Sequence, residues 1–155
     1  MNSQLPLVRT LALWLAVCAT PGVLAVCLDP RDPSKYFQPT LEQELASANA
    51  IVVGTVLSAK GLNEDKTDPG GWTSFIYTFE VSQLLLGNVP MSIELSATND
   101  SGGYRMSVGE THLLFLSKRD TRLSVNPCGN STALPKGQAV FEQLQSLLRA
   151  RPHAA

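Results

Sequence analysis

The chain has 155 residues with a formal net charge of −1, and 44% of them are hydrophobic against 16% charged. Near-neutral charge excludes a general binder of nucleic acid or anionic membranes, which needs a basic excess. The length suits one domain that buries a sizeable core without metals or dense crosslinking.

The first residues carry the pattern of an export signal. Arg9 supplies a positive start, "LALWLAVCA" (11–19) is an apolar core, and "TPGVLA" (20–25) places Val23 and Ala25 at the −3 and −1 positions of a cleavage site. The apolar run is too short, and too broken by Pro21 and Gly22, for a transmembrane span. A lipid anchor on Cys27 needs a small residue before it, and Val26 is branched. The expected organisation is a cleaved signal over 1–25, one domain over 26–150, and a tail over 151–155. No second apolar run spans a bilayer, so the product is expected to be secreted, periplasmic or extracellular.

Cys18 leaves with the signal, so Cys27 and Cys128 remain. An even pair in an oxidising compartment reads as a disulfide. The alternatives are a catalytic thiol, which needs a neighbouring base, and a zinc site, which needs three or four ligands. Two histidines beyond the signal supply both poorly.

In chain order, "VCLDPRDPSKYFQP" (26–39) is proline-rich and aperiodic, an extended lead-in pinned at Cys27. "TLEQELASA" predicts a short helix with Thr40 as N-cap and Gln43 completing a capping box. "NAIVVGTVLSAK" (49–60) predicts a strand that is apolar on both faces at its start, as inside a closed barrel, with Gly54 at a sharp bend. "WTSFIYTFEVSQLLLG" (72–87) alternates Phe75, Tyr77, Phe79 and Val81 against Ile76, Thr78, Glu80 and Ser82. "MSIELSA" (91–97), "THLLFLSK" (111–118) and "RLSVN" (122–126) complete five strands. The tail segment changes period: Val140, Phe141, Leu144, Leu147 and Leu148 form a helical stripe that Pro152 ends. The expectation is a mainly β fold, a five-stranded barrel of the OB type with a C-terminal amphipathic helix; a β-sandwich is the alternative.

The order "ASANAIVVGTVLSAK", "YTFEVSQLLLGNVP", "VGETHLLFLSK", "NPCGNS" and a helix resembles the tissue-inhibitor-of-metalloproteinases and netrin-module superfamily, over roughly Cys27 to Leu148. The resemblance implies an OB-type barrel with its N-terminal segment tied by a disulfide to a point after the last strand. In the inhibitors the mature chain begins with cysteine, whose amine and carbonyl chelate a protease's catalytic zinc, and a Cys-x-Cys pattern stiffens that end. Here Val26 precedes Cys27 and Asp29 stands where the second cysteine would be. The resemblance therefore implies the fold and a protein partner, an exported metalloprotease being the class it suggests, without the chelating chain end.

Other candidate chemistry is sparse, and neither a cofactor nor a metal is expected. "NDSGGY" (99–104) is similar to the surroundings of a serine-protease nucleophile, but Ser101 lacks an identifiable base and reads as a turn residue beside Gly102 and Gly103. His112, near the start of an apolar strand, reads as an exposed or hydrogen-bonded side chain, and His153 lies in the tail. Glu64, Asp65 and Asp68 share a polar loop without calcium-loop spacing. Asn99 and Asn130 each open an N-glycosylation triplet. The functional expectation is a non-enzymatic, exported protein-binding module that meets its partner through Val26, Cys27, Leu28, Trp72 and Tyr104. The alternative is a structural or assembly component of the cell envelope or extracellular matrix.

Overall fold

The computed structural model describes residues 27–151 apart from 30, 101, 120 and 121. The expected signal segment, Val26, Ser101 and the residues from 152 onward, His153 among them, lie outside the described residues. A short hairpin, β1 (Leu28–Asp29) and β2 (Asp32–Tyr36), precedes helix α1 (Leu41–Ser47). Strands β3 (Ala50–Leu62), β4 (Ser74–Leu86), β5 (Ser92–Thr98), β6 (Thr111–Arg119) and β7 (Arg122–Val125) follow, then β8 (Thr132–Leu134) and helix α2 (Gln138–Ala150).

The protein is mainly β. Strands β3 to β7 hydrogen-bond in a closed ring, in the order β3–β4–β5–β7–β6 with β6 returning to β3. These five are the strands expected from the sequence. β8 pairs with the start of β6, outside the ring. Every contact in the ring is antiparallel except β5 with β7, which is parallel and rests on the single register pair Leu95–Leu123.

Period-2 alternation sorts the apolar residues into two cores. Ala50, Val52 and Val56 of β3 fill the ring's interior with Tyr77, Phe79 and Val81 of β4, Ile93 and Leu95 of β5, and Leu114 and Leu116 of β6. The intervening residues Ile51 and Val53 of β3 and Leu113 and Phe115 of β6 point outward. Leu41 and Leu45 of α1 and Leu144 of α2 cover them. This second layer is why β3 opens apolar on both faces. Each fully buried aliphatic side chain here contributes about 1.5–3 kcal/mol relative to exposure. The covering stops early: Leu57, six residues beyond Ile51 and on the same face, is 50% exposed.

The helices form as their sequences dictate. Thr40 Oγ1 accepts the Gln43 amide at 3.2 Å and Gln43 Oε1 accepts the Thr40 amide at 2.9 Å, the expected capping box. On α2 the whole expected stripe faces the second core, with Leu144 fully buried and Val140, Phe141, Leu147 and Leu148 partly so. Arg149 sits in the last turn, at the negative end of the helix dipole.

Two elements differ from the sequence reading. The lead-in is a β-hairpin rather than simply extended, and β8 adds a strand. The hairpin is built from Asp, Pro and Ser, residues depleted in strands. Local side-chain bonds shape its turn: Asp29 Oδ1 accepts the Arg31 amide and Asp32 Oδ1 accepts the Ser34 amide.

Candidate functional site

Three features stand out: the disulfide-tied hairpin, a groove between β5 and β7 whose wall includes Pro127 beside the bridged Cys128, and a buried histidine held between Glu110 and Tyr104. Cys27 is bonded to Cys128 with the Cα atoms 5.6 Å apart. A bridge of this kind fits an oxidising compartment. It fixes the start of the hairpin, and the Phe37 amide donates to the Cys27 carbonyl at 2.8 Å. Cys27 is itself buried.

A second fastening lies beside the bridge. Glu44 of α1 is buried, and its Oε2 accepts both the backbone amide and the side-chain amide of Asn130, two residues past Cys128. Burial raises its carboxyl above the ordinary glutamate value, and the two Asn130 donors pull the other way. Asn130 Nδ2 also donates to the Pro39 carbonyl, so the lead-in, α1 and the turn after β7 are cross-tied.

The groove has a volume of about 730 Å³. Its walls include Ser96, Ala97 and Thr98 of β5, Ser124 and Val125 of β7, and Pro127, next to the bridged Cys128. Past Leu95–Leu123 the two strands share no register pair among the described residues. A smaller pocket of about 320 Å³ adjoins it through the shared residues Ile76, Ser96 and Arg122. Glu64 and Arg122 put one charge of each sign on the groove's wall, so it has no single-sign field that would attract a polyanion.

Tyr104 lines this groove and also packs against the interior core. Its hydroxyl lies 3.0 Å from His112 Nδ1, and Glu110 Oε2 lies 3.2 Å from His112 Nε2. A carboxylate only accepts, so Nε2 carries the proton and Nδ1 accepts from the phenol. Glu110 Oε2 also accepts the Ser107 amide, and that bond and His112 hold its carboxyl below the ordinary value. Burial, then the Glu110 charge, push the Tyr104 hydroxyl well above its ordinary value, so it stays a neutral donor. Burial holds His112 below its ordinary value against the pull of Glu110. The chain Glu110–His112–Tyr104 has the order of an acid–base relay, yet its terminal group is a phenol made less acidic by its surroundings. It acts as a clamp that fixes Tyr104 in the groove.

The lowered value of His112 has a consequence for stability. The unfolded chain binds the proton more readily, so the folded state's advantage is present above about pH 6.5 and lost as pH falls toward the lowered value. The groups facing the ring are Glu110 and Tyr104. Urea midpoints measured from about pH 7.5 to about pH 5.5 are expected to fall, and the fall to flatten in His112→Gln, which takes up no proton there. An equal slope in both proteins would refute this.

Among the expected partner-contact residues, Leu28 is 46% exposed on the hairpin and Trp72 is 55% exposed. The Trp72 indole lies against Gly61 of β3, where an added Cβ would stand 2.5 Å from its ring. The Trp72 carbonyl accepts Asn99 Nδ2 at 2.6 Å, and Asn99 in turn accepts Arg105, which ties the Trp72 and Tyr104 loops together. Cys27 reaches the groove only through Cys128 and Pro127. Both glycosylation triplets have their amide nitrogens engaged, Asn99 with Trp72 and Asn130 with Glu44 and Pro39. The acidic loop is exposed, with Asp65 capping Thr67. Among the described residues no group of three His, Cys, Asp or Glu is placed to hold a metal ion, and no helix is long and apolar enough to cross a membrane.

Sequence reasoning missed Tyr36, 69% exposed, and Phe37, 39% exposed. Their signal was legible: two adjacent aromatics in a segment with no apolar stripe to bury them. Nothing in sequence spacing announced the Glu110–His112–Tyr104 clamp. No protein-family model matches the chain and no curated protein matches it.

Proposed function

We propose that the protein is an exported, non-enzymatic protein-binding module on an OB-type barrel of the netrin and metalloproteinase-inhibitor kind. On this reading it docks through its disulfide-anchored N-terminal hairpin and not by metal chelation. The five-strand ring, the terminal helix and the Cys27–Cys128 bridge are the features that support it.

One observation carries the reading. Leu28 and Tyr36 are register partners on the hairpin, and both are turned to solvent with Phe37 beside them. An apolar cluster on an element stapled by a disulfide costs solubility and does nothing for the core, which marks it as an interaction surface. The staple also lowers the ordering cost of binding. Chelation through Cys27 is disfavoured because its carbonyl already accepts the Phe37 amide and the residue is buried. An exported protein is the partner, with metalloproteases the class that the resemblance suggests.

A photo-crosslinking residue at Tyr36, in the compartment to which the protein is exported, tests this. One discrete adduct, lost when Leu28→Ser is added, is expected. A control probe at Val108, which is 60% exposed away from the hairpin sequence, should give none. Equal adducts from both positions, or none from Tyr36, would refute the reading.

A further inference from the structure

The walls of the β5–β7 groove are consecutive residues: Ser96, Ala97 and Thr98 on one side, Ser124 and Val125 on the other. In a pleated strand successive side chains point to opposite faces, so a run of neighbours can share a wall only along the strand's edge. The register agrees. Ser96, Ala97 and Thr98 are paired with Ile76, Phe75 and Ser74 of β4, and Ser124 and Val125 with Ser117 and Leu116 of β6. Among the described residues none of the five has a strand partner on its other side, because the single β5–β7 pair, Leu95–Leu123, lies just before them. Backbone pairing between the two strands stops there, beside the groove, which makes a fork in the pairing.

Strand edges of this kind are templates for another backbone, which supplies donors and acceptors at the spacing that the edge repeats. The side chains suit such a visitor. Ser96, Thr98 and Ser124 are small, so they let a backbone come close, while the Thr98 hydroxyl is bonded to Asp100 and the Ser124 hydroxyl to Ser117. Tyr104, fixed by His112, forms one wall of the fork and packs against the interior core. A polyanion finds one acid and one base, Glu64 and Arg122, in place of a basic lining.

The geometry points to strand addition: an extended peptide segment of a protein partner enters the fork and pairs its backbone with the edges of β5 and β7 that lack a strand partner there. It pairs chiefly at Ser96 and Ser124, since Gly103 packs on the Thr98 carbonyl. This rests on the protein-binding reading and gives it a second contact, next to Pro127 and the bridge that carries the hairpin.

The test uses the full exported chain and a displayed library of linear twelve-residue peptides as the probe. Selected peptides are expected to shift the backbone amide resonances of Ser96–Thr98 and Ser124–Val125. Ser124→Trp, which fills the fork, should weaken them at least tenfold, and Tyr36→Ser less than twofold. Single N-methylation along the peptide removes one backbone donor at a time without altering the protein, so the result does not depend on a variant's folding. At least one alternating set of positions should lose tenfold or more. Tolerance of every N-methyl group within twofold would overturn backbone pairing. Peptides lost in Tyr36→Ser but kept in Ser124→Trp would overturn the fork while leaving the hairpin reading intact. No peptide above background, together with no Tyr36 adduct, would remove both. Binding of an oligosaccharide array that Ser124→Trp abolishes would overturn the peptide assignment and give the groove to sugars.

Discussion

Replacing Cys27 and Cys128 together by alanine is expected to lower the unfolding free energy by about 4–5 kcal/mol. The bridge joins positions 101 residues apart, so it removes a large loop's freedom from the unfolded chain. It acts on a segment with little else to hold it. The hairpin's strands have two and five residues, and its large side chains Leu28, Tyr36 and Phe37 face solvent. The ring's own ladders do not pass through Cys27, and Glu44 still binds Asn130, so α1 stays docked. The loss should therefore divide in two. Urea denaturation should show the drop in global stability. Hydrogen exchange should show residues 28–37 losing protection while Val52 and Leu114, deep in the ring, keep it until global unfolding. A change below about 1 kcal/mol, or uniform loss of protection, would contradict this account.

The same contrast between chain pattern and chain meeting explains what the sequence revealed. β3, β4 and α2 were legible because each carries its own periodicity: Phe75, Tyr77, Phe79 and Val81 at period two, Val140 to Leu148 at helical spacing. The bridge was legible because setting Cys18 aside with the expected signal leaves two of the three cysteines and one pairing. The hairpin was not, since Asp and Pro residues mask strand propensity and its turn is set by side chains bonding their own backbone. β8, only Thr132–Leu134, is too short to show alternation. In the sequence Glu44 is a charge on a short helix; only the turn after Cys128, arriving from 86 residues away, makes it a buried acceptor. Tyr104, expected as a partner-contact anchor, is partly buried and clamped by His112. The fork between β5 and β7 follows from where pairing stops, a property of two strands meeting that neither sequence carries alone.

Gly54→Val is expected to cost about 3 kcal/mol or more, in the range of severe overpacking. Gly54 lies at a register shift of β3, flanked by Val81 of β4 on one side and His112 of β6 on the other. A Cβ there would collide with the Glu80 carbonyl oxygen and stand 2.5 Å from the Phe79 ring. Neither neighbour can yield: one is ladder backbone, and Phe79 is fully buried in the interior core. A useful contrast is Gly109→Ala. Gly109 has φ of +87° with nothing within 4 Å of an added Cβ, so that change carries backbone strain alone, about 1–2 kcal/mol. Urea unfolding of the two variants should separate by more than about 1 kcal/mol, with Gly54→Val the weaker; equal losses would mean that β4 moves aside freely. The position also bears on the groove. β3 is bonded along both edges, to β4 and to β6, and the close approach at Gly54 lets β4 wrap tightly against it. With those seams held by many register pairs, the single pair between β5 and β7 is the most sparsely paired seam of the ring. A destabilised but folded Gly54→Ala should therefore loosen β3 against β4, seen as faster amide exchange at Val53 and Val81, before it alters exchange at Ser124.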